Sequence, residues 1–246
     1  MERERPQVCV QPDLEAVCRA AAEAVAELSR AAVAERGGFV VALCGGRTAP
    51  QLYRVLAEQY RDRIPWAQWH VFWSDERYVA PDSEQSNYYV TKRALLDQVP
   101  IPKAQIHPMP TLLPSPEEAA QAYEEELTRY FSGRLPRFDL MVMGMGAEGH
   151  TASIFPHSPA LAEECAARLV VAVEVPAEPP MRLTMTIPVF NNAENLFFLV
   201  AGAGKHDALD RAVTGPPDAE ECPASAIRPT DGTVMWWVDE AAMEGA

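Results

Sequence analysis

Six short, largely apolar runs constrain this chain most: "FVVALC" at 39–44 without a break and the strand-like "WHVFWS" at 69–74, "FDLMVM" at 138–143, "LVVAVEV" at 169–175, "NLFFLVA" at 195–201 and "VMWWV" at 234–238. A strand with one wet face alternates apolar and polar residues, whereas a run without alternation reads as a strand buried on both faces. Elsewhere the spacing turns helical. Residues 13–36 place Leu14, Val17, Ala21, Val25, Leu28 and Ala32 at helical intervals behind a capping Asp13, and Gly37 suits the stop. Residues 50–60 are helical with Pro50 in the first turn, and 86–99 are helical behind Ser86. Ser115, Pro116 and Glu118 open a capping box whose helix ends near Gly133. Strands alternating with helices predict an α/β fold with a doubly wound, mostly parallel sheet.

The 246 residues show no internal repeat, and the Pro-rich stretches at 100–116, 176–180 and 216–229 read as surface connections rather than linkers. A single domain over 1–246 is therefore expected. Thirty-five acids against 21 bases give a net charge of −14, which argues against a nucleic-acid partner. No apolar run approaches the roughly 18 residues of a membrane helix, so no membrane partner is expected. The N-terminal "MERERPQ" has no apolar core, so no signal peptide is expected. The five cysteines are widely spaced with no CxxC pair, which reads as reduced thiols in a cytoplasmic protein.

The unusual residues gather at one edge. "CGGRT" follows the first apolar run, "SDERY" the second, "GMGAEGH" the third and "GAGK" a later one. In open α/β sheets the carboxyl ends of the strands are where ligands bind, so four such loops predict one site. Gly144, Gly146 and Gly149 form a literal G-x-G-x-x-G. A dinucleotide site would need a long helix after it and an acid ending the next strand. Pro156 cuts the expected helix short, and Glu163 and Glu164 precede the next strand. The glycines instead let backbone N–H groups approach an anion or a developing oxyanion, with His150 at a helix start as the candidate general base. His70, His107, His157 and His206 read as packed or surface residues.

Gly45, Gly46, Arg47 and Thr48 are suited to a phosphate cradle or to no more than a tight turn. Asp75 and Arg77 offer a carboxylate for a sugar hydroxyl and a guanidinium for phosphate, though Asp75-Glu76-Arg77 also reads as a solvated trio. Arg182 and Lys205, taken singly, are ordinary surface charges. No His/Cys cluster has metal-ligand spacing and no G-x-S-x-G elbow is present, so no metal or cofactor is expected and water is the expected nucleophile.

Together "LCGGRTAPQLY", "FWSDERYVAPDSEQSNY", "FDLMVMGMGAEGHTASIFP", "RLTMT" and "LVAGAGKHDAL" resemble the 6-phosphogluconolactonases, in order and spacing, over roughly residues 38 to 238. The resemblance implies a modified Rossmann-like fold of the glucosamine-6-phosphate deaminase type. It implies hydrolysis of 6-phospho-D-glucono-1,5-lactone to 6-phosphogluconate in the oxidative pentose phosphate pathway, without metal or organic cofactor. The implied base is His150. Implied substrate contacts fall on Gly45 to Thr48, Arg77, Arg182 and Lys205, with Asp75 and Asn87 along the sugar and Gly146 in the glycine loop. The family usually has aspartate where Glu148 stands and proline where Ala49 stands. Glu148 is open to three roles: orienting the imidazole, contacting a hydroxyl, or facing water. Asp75 is the alternative base. A monomer binding a small phosphosugar lactone is expected. Two rivals are a glucosamine-6-phosphate deaminase, whose histidine motif continues Asn-Glu-Pro where this chain reads "TASIFP", and a non-catalytic sugar-phosphate module.

Overall fold

The structure is a computed structural model describing residues 7–245; of "MERERPQ", all but Gln7 lies outside the described residues. Among the described residues, nine strands form two sheets. Six make a wholly parallel sheet: β1 (Gln7–Gln11), β2 (Phe39–Leu43), β3 (Trp69–Trp73), β5 (Leu140–Gly144), β8 (Asn195–Val200) and β9 (Thr233–Asp239). Their order is β1-β9-β8-β5-β2-β3. β4 (Asp75–Arg77), β6 (Val170–Glu174) and β7 (Met181–Met185) form a separate antiparallel sheet in the order β4-β7-β6. The "LVVAVEV" run, expected among the strands, is therefore β6 of this smaller sheet.

The helices are α1 (Leu14–Arg36), α2 (Ala49–Gln59), α3 (Asn87–Thr91), α4 (Pro116–Tyr130), α5 (Ile187–Phe190), α6 (His206–Thr214) and α7 (Glu240–Glu244). The caps follow from local chemistry. Asp13 accepts from Ala16 N at 2.8 Å, Ser115 Oγ from Glu118 N at 3.1 Å, and Gly37 takes φ 77° at the end of α1. The helix expected over 86–99 is α3 followed by a π-helical turn, Lys92–Leu96.

Two features of this topology place the site. The chain runs β2 to β3 on one side of β2, then returns to lay β5 on the other, so the direction of winding reverses between β2 and β5. That switch leaves a crevice at the strands' carboxyl ends. The chain also passes from β3 into β4 through Ser74 alone, where Ser74 N donates to Leu43 O and Met185 N to Ser74 O. The small sheet is thus bonded directly to the carboxyl edge of the large one. α4 backs it against β6 and β7.

Candidate active site

β5 ends at Gly144 and the chain doubles back at once. Gly146 N donates to His150 O at 2.9 Å, Gly149 N to Gly146 O at 3.1 Å, and Thr151 Oγ1 to Gly144 O at 2.9 Å. Gly149 adopts φ +98°, and a Cβ there would lie 2.7 Å from Cys222 Sγ, so both conformation and space require glycine. The helix expected to start at His150 does not form. Residues 151–158 are turns, with Thr151 and Ile154 bridged, because these backbone groups bond across the turn before any i to i+4 ladder begins.

The turn presents His150 to the cleft. Its Nδ1 lies 2.8 Å from Glu148 Oε1, and its ring stacks on Phe155 with centroids 4.1 Å apart. An Nδ1 facing a carboxylate carries the proton, which leaves Nε2 as the lone-pair nitrogen. Partial burial, the largest single influence on Glu148, pushes its carboxyl up. Its own backbone N–H, the His150 bond and charge, and the Lys205 charge outweigh burial and hold it below the usual value. A Cβ on Gly146 would sit 2.2 Å from His150 Nδ1 and 2.5 Å from Glu148 Oε2, so the pair exists only because position 146 is bare.

The opposite wall comes from the small sheet. Successive strand residues face opposite sides, so Asp75 and Arg77 share a face of β4 while Glu76 points away. The register sets Arg77 across from Arg182 and Asp75 across from Thr184. Like charges directly opposite one another repel. Among the described residues neither guanidinium has a carboxylate within ion-pair distance. Arg182, only 5% exposed, donates to the carbonyls of Pro179 and Glu178, and Arg77 donates to that of Gln85. Burial, then Arg77's charge, pulls the Arg182 pKa down. Two adjacent, charge-unpaired guanidiniums form a site for an anion.

Asp75 is held by Ser153 Oγ at 2.7 Å and by Asn87 Nδ2 at 3.3 Å. Asn87 Oδ1 is buried without a partner. A Cβ on Gly45 would stand 1.8 Å from it, so the first glycine of "GGRT" makes room for Asn87. Thr48 makes no side-chain cap at the α2 N-terminus. Cys44 lines the cleft, but burial pushes its thiol up to about 12, with the Asp75 charge adding to the effect, so it is no thiolate nucleophile. Burial lowers the Lys205 pKa; Glu148 opposes and Arg47 reinforces that shift.

The cleft has a volume of about 820 Å³. It gathers Gly45, Gly46, Arg47, Thr48, Asp75, Arg77, Asn87, Gly146, His150, Arg182 and Lys205. Glu148, also expected at the site, is absent from the wall and reaches the cleft through His150. The cations divide: Arg77 pairs with Arg182 across β4 and β7, whereas Lys205 shares its field with Glu148 and Arg47. Sequence reasoning missed two residues. Ser153 was hidden in "TASIFP" as an unremarkable small polar residue. Glu76 is 2% exposed, and the alternation of a three-residue strand through Asp75-Glu76-Arg77 was the available signal. Among the described residues no group of three or more His, Cys, Asp or Glu side chains is placed to hold a metal ion, and no helix is long and apolar enough to cross a membrane.

An imidazole oriented by a carboxylate and an arginine pair, of which Arg182 is buried, line one cleft at a topological switch point, equipment for acid–base chemistry on an anionic substrate. The chain belongs to the glucosamine-6-phosphate isomerase/6-phosphogluconolactonase family, whose model matches residues 12–236. It is similar to a 6-phosphogluconolactonase of Synechocystis, 46% identical over 87% of each chain. It is also similar to one of Nostoc, 38% identical over 95% of each. Among solved structures, the 6-phosphogluconolactonase of Thermotoga maritima superposes with a TM-score of 0.82 at 31% identity, covering 96% of this chain and all of that one. A monomeric glucosamine-6-phosphate deaminase superposes with a TM-score of 0.79 at 20% identity, a likeness of fold.

Proposed function

We propose that this chain is a lactone hydrolase converting 6-phospho-D-glucono-1,5-lactone to 6-phosphogluconate, working as one α/β domain with His150 as general base. The observation that carries the mechanism is the 2.8 Å bond between His150 Nδ1 and Glu148, which leaves Nε2 as the free nitrogen of a ring that lines the cleft. Water beside Nε2 attacks the lactone carbonyl carbon as its proton passes to the ring. Glu148 holds the imidazole and stabilises the imidazolium. The resulting tetrahedral oxyanion collapses with cleavage of the ring C–O bond, and the proton returns to the departing ring oxygen. The glycine-lined wall at Gly45–Gly46 lets backbone amides approach the oxyanion. Arg77 and Arg182 hold the phosphate from the small-sheet wall, and Lys205 lines the same cleft beside Glu148 and Arg47, so distant binding energy orients the reacting carbon. Asn87 Oδ1, a buried acceptor without a donor, and Asp75 take sugar hydroxyls.

A coupled assay with freshly generated 6-phosphogluconolactone tests this reading. Accelerated hydrolysis is expected, undiminished by EDTA. Loss of activity on chelation with recovery on adding zinc or magnesium contradicts a metal-free mechanism. Release of ammonia from glucosamine 6-phosphate with no action on the lactone contradicts the assignment.

A further inference from the structure

We propose that Ser153 is a positioning residue that keeps Asp75 off the arginine pair and so keeps the phosphate site open. The proposal rests on the reading that Arg77 and Arg182 hold the phosphate. Asp75 and the two arginines share one face of the small sheet, and the register leaves Asp75 diagonal to Arg182. Diagonal neighbours on an antiparallel pair are within reach of long side chains. A buried carboxylate beside two unpaired guanidiniums has a strong electrostatic incentive to close on one of them. It does not: neither arginine has a carboxylate within ion-pair distance among the described residues.

What restrains it is visible. Ser153 Oγ donates to Asp75 Oδ2 at 2.7 Å, and both side chains are buried. Asn87 Nδ2 reaches the other oxygen at a weaker 3.3 Å while giving its shorter bond, 2.9 Å, to the Asp75 carbonyl. Ser74 Oγ is longer still, at 3.4 Å. Ser153 therefore supplies the one short side-chain bond on the carboxylate. It also comes from the turn that carries His150, so the same bond ties the catalytic loop to β4. Without it, Asp75 would swing to Arg182, neutralise half the anion site and leave the catalytic loop unmoored from the sugar-binding wall.

The test measures inhibition by 6-phosphogluconate and the kinetics on phosphorylated and unphosphorylated gluconolactone. In Ser153→Ala the inhibition constant and the KM for the phosphorylated lactone should rise about tenfold or more, the effect of losing a hydrogen bond to a charged group. For unphosphorylated gluconolactone the KM should rise clearly less, since it loses the Asp75 contact and the loop tie but makes no use of the arginine pair. In an Asp75→Asn background, where no charge is free to close on arginine, Ser153→Ala should add little. A lowered Tm with an unchanged inhibition constant, or losses that add fully in the double variant, overturns the proposal. If Ser153→Ala does not fold, Ser153→Cys serves, having a similar shape and a weak donor. Arg182→Gln separates the two levels. If it fails to weaken 6-phosphogluconate inhibition, the phosphate reading falls and this proposal with it. If it weakens inhibition and Ser153→Ala does not, the positioning role alone is wrong.

Discussion

His150 and Glu148 act as a unit if the 2.8 Å bond between them is what makes the imidazole a base. His150→Asn should lower kcat by about 10²–10⁴-fold while 6-phosphogluconate binding persists, measured by inhibition under the same conditions. Glu148→Gln should lower kcat with little change in KM, and Glu148→Asp should retain substantial activity because the Gly146–Gly149 turn is the element that sets the reach. The informative comparison is the double variant: Glu148→Gln should cost far less once His150 is asparagine. Fully additive losses would show that Glu148 works independently of the ring. Most of this site was legible because its residues are chemically conspicuous and fall at strand ends. The role of Glu148 was not, because a carboxylate two residues from a histidine can face ring, ligand or water, and only the fold of the turn chooses. Ser153 gave no signal at all, since its partner Asp75 is 78 positions away in sequence.

The elements were unevenly legible for physical reasons. Five of the six strands of the large sheet betrayed themselves by largely apolar runs, as burial on both faces demands; the edge strand β1, "QVCVQ", is exposed or half-buried and gave no such run. β4 did not, because "DER" is three charged residues, and the burial of Asp75 and Glu76 comes from bonds rather than apolar area. The Glu76 carboxylate accepts from Arg77 N at 2.7 Å, Asn87 N at 2.7 Å, Tyr88 N at 2.8 Å and Ser86 Oγ at 3.0 Å. β7 carries Arg182 in "MRLTM" and reads as a binding motif rather than a strand. The false helix after "GMGAEGH" arose because a strand followed by glycines resembles a nucleotide-binding turn until tertiary bonds are known. The turn itself is testable. Gly146→Ala would put a methyl into the space of the His150–Glu148 pair. The loop must then rotate the imidazole, so kcat should fall at least tenfold, with circular dichroism unchanged, roughly the loss expected when a catalytic group is misplaced by about 1 Å. Full activity in Gly146→Ala would mean the pair is not the working arrangement.

Across the whole molecule, pH should act on stability through two groups of opposite sign, the buried Glu76 and the half-buried His70. Burial pushes the Glu76 pKa up to about 7, against the pull of three backbone N–H donors. Between about 4.5 and about 7 the folded chain keeps a proton that the unfolded chain releases, so this group's contribution to stability falls as pH rises through that window. The full span is on the order of 3 kcal/mol. His70 runs the other way: burial, then the His107 charge, lowers its pKa, so the folded chain takes up its proton less readily and stability falls as pH drops below 6.5. Unfolding by urea at a series of pH values should show Glu76→Gln flattening the decline between about pH 5 and 7, whatever its absolute stability; an unchanged slope would remove Glu76 as its source. The account's central claim, that this cleft hydrolyses a phosphorylated lactone with water activated at His150, meets its most direct test in one assay. Freshly generated 6-phosphogluconolactone is followed with the parent protein and with His150→Asn at equal concentration, above the spontaneous rate. The account predicts rapid hydrolysis by the parent and a loss of about 10²–10⁴-fold in the variant; equal rates for the two proteins would contradict it.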